Sequence, residues 1–289
     1  MVDRHAFVIG EEEVKSVLSI EDVIKCCEDT WRWYGAGDVV MPNKITTNIN
    51  EHAWYNSMPA YIRPMNTAGI KVVGGYDANK ALGLPYIMAN ILLLDPECGK
   101  LNALVSGNFI NDARTGAQPA IMTKILAAST DVVTLIGTGL MAYYSLLCIS
   151  KTVPLKEVRL CDISEAAMDA FIARFPDASW KFVKCASNEE GCTGADVIIT
   201  ITNANANLVE EPWVKKGALV MTMGSFRETS FDVLIPDVLC GKQNFVRNPE
   251  DRIYAQIIGT GMLDVACAGL AYQKLTQDPA KLTSVDMTK

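Results

Sequence analysis

The sequence predicts an α/β protein in two parts: a central parallel sheet covered by helices, and a mixed α+β part assembled from both chain ends. Three observations carry that reading. From residue 131 onward, short apolar runs alternate with helical patterns, as in a parallel sheet with helical crossovers. Between residues 39 and 104, runs rich in β-branched residues are separated by Pro, Gly and Asn instead of helices, as in an antiparallel or mixed sheet. A helix-length pattern, Gly261–Lys274, follows the alternating region and is expected to return to the first part.

Taken in order, Glu11–Gly35 is helical, because Val14, Leu18, Ile24 and Trp31 recur at helical spacing. Ser19 and Asp22 form a capping-box-like pair that opens a second helix within it, with Asp in place of the more usual Glu. Gly35-Ala36-Gly37-Asp38 ends it. Strands are expected at Lys44–Asn50, Ile70–Tyr76 and Ile87–Leu94, and a long connecting helix at Asn108–Leu126. The central part then reads as strand Val132–Ile136, helix 141–150, strand Val158–Cys161, helix 164–175 and strands Lys181–Cys185, Val197–Ile201 and Ala218–Met223. The length suits two domains, divided as residues 1–127 with 255–289, and 128–254.

Between the first central strand and its helix lies Gly137-Thr138-Gly139-Leu140-Met141-Ala142. A Gly-x-Gly-x-x-Ala turn here has a physical use. The first glycine permits the tight turn, the second lets backbone amides approach a pyrophosphate, and the small third residue lets helix pack on strand. Roughly 20 residues further on, Asp162 ends a second apolar run, where a carboxylate accepts hydrogen bonds from an adenosine ribose. This is a Rossmann-like dinucleotide site in its proper setting. A carboxylate at 162 repels a ribose 2′-phosphate, and neither Ile163 nor Ser164 is an arginine that would welcome one, so NAD(H) is expected over NADP(H).

Composition narrows the remaining classes. No apolar run reaches the roughly 18 residues of a membrane span, and the first ten residues lack the apolar core of a secretion signal. These features, with nine scattered cysteines that form no Cys-x-x-Cys, predict a cytoplasmic protein without a disulfide framework or zinc site. Most of the thiols are expected to be buried as small hydrophobes. Net charge of −7 and an isoelectric point near 5.0 leave no basic stripe for nucleic acid.

Hydride chemistry on an acidic metabolite needs cations for a carboxylate and a proton donor. Three basic residues stand in unusual settings: Lys44 after Met41-Pro42-Asn43, Lys71 inside the apolar run Gly69–Val73, and Arg114 near a helix start. On pattern alone, Lys71 reads equally well as an outward-facing strand lysine and Arg114 as an exposed helix residue. His5 and His52 are the only histidines, and His52 sits in a turn, so a lysine is the better donor.

With these residues in view, the chain resembles the ornithine cyclodeaminase and mu-crystallin family, which includes alanine dehydrogenases and ketimine reductases. The resemblance runs through Tyr34-Gly35-Ala36-Gly37, Met41-Pro42, Met58-Pro59-Ala60, Gly69-Ile70-Lys71, Gly83-Leu84-Pro85, Arg114-Thr115-Gly116-Ala117, Gly137-Thr138-Gly139, Ala195–Ile198, Gly259 and Asp264-Val265-Ala266. It implies a homodimer whose chain ends form a substrate-binding and dimerisation domain around an NAD-binding domain. It also implies that Lys71 and Arg114 bind the substrate carboxylate, with Arg114 near the cofactor phosphates. Lys44 falls where cyclodeaminases carry Arg and the alanine dehydrogenase branch carries Lys, and the resemblance implies that it would assist or polarise the imine or carbonyl. Arg114, Thr115, Gly137, Thr138, Gly139, Leu140, Met141, Asp162, Thr202, Met221, Met223 and Gly259 fall at cofactor positions, and Tyr86 stands where the family often has a cofactor-contacting threonine.

The chain departs from the family at three places. Phe226, in Gly224-Ser225-Phe226-Arg227, stands where cyclodeaminases carry a catalytic Asp, which favours imine reduction or amino-acid oxidation over cyclodeamination. Asn56, at a substrate position, replaces an arginine found in alanine dehydrogenases; with Trp54 and Tyr55 it is expected in a loop, where Trp54 and Tyr55 either line a pocket or fill the dimer interface. From Asp232 to Asp264 the chain has roughly half the family's length, as if a sheet-edge strand and a helical hairpin were missing. The resemblance therefore implies an NAD(H)-dependent oxidoreductase of small α-amino or α-imino acids. The alternatives are a cyclodeaminase using NAD catalytically and a non-catalytic, crystallin-like nucleotide-binding protein.

Overall fold

The computed structural model describes residues 4–204, 206–223, 239–242 and 245–287. The expectations on Gly224–Arg227 and on residues 231–235 lie outside these. In chain order the elements are β1 (His5–Ile9), α1 (Glu11–Val17), α2 (Ile20–Ala36), β2 (Val39–Val40), β3 (Ile45–Asn50), β4 (Ala53–Ile62), β5 (Thr67–Tyr76), β6 (Ile87–Leu94), β7 (Leu101–Ser106) and α3 (Asn108–Leu126). There follow β8 (Val132–Ile136), α4 (Leu140–Ser150), β9 (Glu157–Cys161), α5 (Glu165–Ile172), β10 (Lys181–Lys184), α6 (Asn188–Cys192), β11 (Val197–Thr200), β12 (Leu219–Thr222), β13 (Ile253–Gln256), α7 (Gly261–Leu275) and β14 (Thr283–Asp286). No described helix is long and apolar enough to cross a membrane.

The chain forms two compact units. One comprises Met1–Arg114, Ile235–Lys242 and Thr260–Lys289, and the other comprises Thr115–Leu234 and Gln243–Gly259. The first division falls inside α3. The sequence pattern places that division at the end of the helix instead.

In the first unit the sheet runs β14-β1-β7-β6-β5-β4-β2, with β3 paired to β4. It is mixed, because β1 and β7 are parallel and the other described pairs antiparallel. α2 opens with the expected capping box: Ser19 Oγ accepts from the Asp22 amide and Asp22 Oδ2 from the Ser19 amide, each at 3.0 Å. α7 returns to this unit and lies close on β4 and β5. A Cβ on Gly261 would sit 2.8 Å from the Cβ and carbonyl oxygen of Met58, so a side chain there would push the helix off the sheet. Trp54, Tyr55 and Asn56, expected in a loop, lie instead in β4, because the ten-residue strand pairs with β5 along its whole length.

In the second unit six described strands run parallel in the order β10-β9-β8-β11-β12-β13, the doubly wound 3-2-1-4-5-6 arrangement of a Rossmann sheet. The order reverses between β8 and β11. An edge strand, β13, is therefore present after all, pairing Leu219–Thr222 with Ile253–Gln256. The core joins Ile136, Ile198 and Val220 to the thiols of Cys161, Cys185 and Cys192. Seven of the nine cysteines are buried, in keeping with their use as small hydrophobes.

Candidate functional site

The first unit carries a buried ionic ring. β5 buries alternate residues, Thr67, Gly69, Lys71 and Val73, so the Lys71 side chain lies on the buried face of the sheet and is 0% exposed. α3 brings Asn111 and Arg114, one turn apart, and α7 brings Asp264, also 0% exposed. Asp264 Oδ1 accepts from Lys71 Nζ at 2.7 Å and from Arg114 Nε at 3.0 Å. Asn111 Oδ1 accepts from the same lysine at 2.7 Å and from Arg114 Nη2 at 2.8 Å. Four hydrogen bonds thus close a ring of two cations, one carboxylate and one amide.

The outward-strand reading of Lys71 and the exposed-helix reading of Arg114 are both overturned. The reason is parity. Ile70 and Val72 look like the core residues of β5, yet they occupy the opposite, part-exposed face. Burial lowers the Lys71 pKa from 10.5 to about 8; the neighbouring Arg114 guanidinium adds to the fall, and Asp264, with Asp112 beyond it, resists. Burial in turn raises the Asp112 carboxyl above its ordinary value, against a hydrogen bond from Asn111. Arg114 Nη1 and Asp264 Oδ2 are shielded from water and have no hydrogen-bond partner among the described residues.

The other two predicted substrate residues are placed differently. Asn56 is buried on β4 on the same face as Lys71, two residues from Met58, the direct cross-strand partner of that lysine. Its Oδ1 accepts from Thr46 Oγ1 at 2.6 Å. Lys44 stands exposed immediately before β3 and outside the ring. Ile45 pairs with Ser57, so extending that register by one residue sets Lys44 beside Met58. Sequence reasoning did not assign Asn111 or Asp264 to the site. The available signal for Asp264 was its isolation, a lone acid within Met262-Leu263-Asp264-Val265-Ala266.

The second unit brings five of the predicted cofactor residues to one end of its sheet. Gly137, Asp162, Thr202, Met223 and Gly259 follow the carboxyl ends of β8, β9, β11, β12 and β13. This is the end at which open parallel sheets bind ligands, and the order reversal between β8 and β11 marks the crevice. Gly137 has φ +99° and presses on the Ile201 carbonyl, so no side chain fits there. Gly139 caps α4 and differs: a Cβ there would meet nothing within 4 Å, leaving open space in front of the helix amides. The first turn of α4 holds no acidic residue, so its positive end is uncompensated. Leu140 is exposed and Met141 half-buried at this end, whereas Met221 is enclosed within β12. Thr115 lies in α3 just before Gly116, whose lack of a side chain admits the backbone of Tyr144.

Asp162 ties the turn together. Its Oδ2 accepts from the Thr138 amide at 2.9 Å and the Thr138 hydroxyl at 2.7 Å, and its Oδ1 from the Ser164 amide at 3.0 Å. Partial burial pushes its pKa up, but these bonds outweigh that effect and the net shift is downward. The carboxylate is thus ionised at neutral pH, with the fully exposed Ile163 beside it.

The model of the ornithine cyclodeaminase/mu-crystallin family matches residues 4–263. The alanine dehydrogenase of Archaeoglobus fulgidus is 29% identical over 219 residues, which are 75% of this chain and 66% of that protein. The ketimine reductase mu-crystallin of Mus musculus is 32% identical over 193 residues, 66% of this chain and 61% of that protein. The matched stretches thus span just under two thirds of these relatives. The structure of Thermococcus litoralis Δ1-pyrroline-2-carboxylate reductase in complex with NADH and L-proline superposes with a TM-score of 0.88 at 22% identity, covering 96% of this chain and 100% of that one. At that identity the likeness shows the fold.

Proposed function

We propose that this chain, which belongs to the ornithine cyclodeaminase/mu-crystallin family, is an NAD(H)-dependent oxidoreductase acting on a small α-amino or α-imino acid. The observation that carries this reading is the charge of the buried ring. Within the ring Lys71 and Arg114 share one bonded carboxylate, Asp264, so two buried cations meet a single direct counter-charge, with Asp112 acting from further off. An uncompensated buried charge costs several kcal/mol. A substrate carboxylate relieves that cost, and Arg114 Nη1, which has no described partner, is the donor at hand for it; described partners use two of the three N–H bonds of Lys71, which leaves the third for proton transfer.

The open cradle at Gly139, the uncompensated end of α4 and the ionised Asp162 suit a dinucleotide diphosphate and its ribose. The negative charge of Asp162, with Ile163 and Ser164 beside it, favours NAD(H) over NADP(H). A nicotinamide cofactor held by these residues would supply or accept hydride at the substrate α-carbon. The remaining work falls to Lys71. In the reductive direction the C=N electron pair moves to nitrogen, which takes a proton from Lys71 Nζ; in the oxidative direction the neutral amine of Lys71 takes it back. A pKa of about 8 makes both forms accessible near neutral pH. Lys44, set beside Met58 by the register of β3, assists from the exposed side.

The functional unit in this reading is a cytoplasmic homodimer. Support for the dimer comes from the outer face of the first sheet, where Val8, Leu104, Leu92, Ile70 and Pro59 form one apolar row across five strands. Support for the compartment comes from the number of thiols buried without disulfides.

The test follows NADH, and separately NADPH, by absorbance with a panel of 2-keto acids plus ammonia or methylamine, and with cyclic imines. Substrate-dependent NADH oxidation is the expected result. Nucleotide binding without turnover across the panel would sink the reading in favour of a binding protein.

A further inference from the structure

The geometry points to Asp264 as the positioning residue of the carboxylate site: its single oxygen Oδ1 holds Lys71 and Arg114 together as one cationic receptor. This inference rests on the proposed role of that pair in binding the substrate carboxylate. The three residues come from β5, α3 and α7, and within the ring only Asp264 is charged oppositely to the other two. Two like charges at such short range repel unless an anion lies between them. Asn111 bridges the same pair, yet as a neutral amide it gives geometry without neutralisation.

A second observation separates positioning from mere stability. Asp264 Oδ2 is shielded from water and unpartnered among the described residues, so this carboxylate is only half satisfied. Half-satisfied buried ion pairs are poor stabilisers, and apolar residues of similar volume often do as well or better. What apolar residues cannot do is orient two cations. By using Lys71 Nζ and Arg114 Nε from one side, Asp264 leaves Arg114 Nη1 uncommitted.

The charged and titratable groups facing Lys71 are Asp264 from α7 and Arg114 and Asp112 from α3, while its cross-strand partners Met58 and Ile91 are apolar. Removal of the Asp264 charge leaves the lysine beside a guanidinium, with Asp112 as the remaining acid. Its ammonium form is then disfavoured.

The decisive experiment measures pH profiles of kcat/KM and the KM for the imino or keto acid in the intact protein, with Asp264→Asn and Asp264→Glu compared and folding checked by circular dichroism. In Asp264→Asn, KM is expected to rise by at least about tenfold, and the alkaline limb to move down by about one pH unit or more. In Asp264→Glu the charge persists but its position shifts, so KM rises while the limb stays in place. A folded Asp264→Asn with unchanged KM and an unmoved limb overturns the inference. Should that variant not fold, Asp264→Glu decides alone, and wild-type KM in it is equally fatal. Lys71→Met and Arg114→Lys separate the two levels: if neither raises KM, the carboxylate reading itself fails, whereas raised KM there with a silent Asp264 removes only the positioning role.

Discussion

Lys71 Nζ and Asp264 Oδ1 lie 2.7 Å apart although 193 residues separate them in the chain, and neither side chain reaches solvent. Burial first and Arg114 second bring the pKa of this lysine from 10.5 down to about 8. The sign depends on direction. Imine reduction needs the ammonium form, so kcat/KM should fall as pH rises through about 8; amine oxidation needs the neutral form and should rise through the same value. Steady-state profiles in both directions, compared with Lys71→Met, check this, and a limb near 8 that survives the substitution refutes the assignment.

Arg114 offers a test of geometry independent of charge. Its Nε and Nη2 are spent on Asp264 and Asn111, and Nη1 remains for a carboxylate. Lysine keeps the charge but cannot place three nitrogens in one plane. Arg114→Lys should therefore raise the KM for the acid substrate by roughly ten- to hundredfold. The same kinetics with a substrate lacking the carboxylate should barely change; equal losses for both would show that Arg114 supports the fold instead.

The alternation of strands and helices after residue 131 was readable because each period is locally dictated, and α3, β6 and β8 begin and end where their residues change character. The glycine turn was readable for the same reason. Less was legible where tertiary pairing decides. β5 carries apolar side chains on both faces, so alternation could not say whether Ile70 or Lys71 turns inward, and the register with β4 and β6 settles it. Trp54 to Asn56 read as loop residues in sequence, yet the neighbouring ten-residue strand β5 recruits them into β4. Asp264 was visible as an oddity in an apolar helix, but its role appears only once α7 lies on the sheet.

A substitution at Asp162 tests the proposed cofactor site apart from the substrate site. It holds the glycine turn through Thr138 and is ionised with Ile163 and Ser164 beside it. Asp162→Ala should weaken NADH by roughly tenfold or more, the worth of a hydrogen bond to a charged group. It should also narrow the preference over NADPH, because the repulsion of a 2′-phosphate disappears with the charge. Fluorescence titration with both nucleotides reads both effects. Unchanged NADH affinity would mean that Asp162 braces the turn without touching the ribose.

Leu104 tests the apolar face of the first sheet. It sits between Val8 and Leu92 in the row that continues to Ile70 and Pro59, and both it and Val8 are exposed. A monomer gains nothing from a continuous apolar row on a strand face, whereas a second copy laid on it removes that area from water at about 25 cal/mol per Å². The wild-type protein should sediment as a dimer, and Leu104→Lys, which forces a charge into the covered face, should shift it towards monomer and lower its melting temperature at equal concentration. A wild-type monomer across the micromolar range would contradict the interface, and a Leu104→Lys dimer of wild-type strength would move it elsewhere on the molecule.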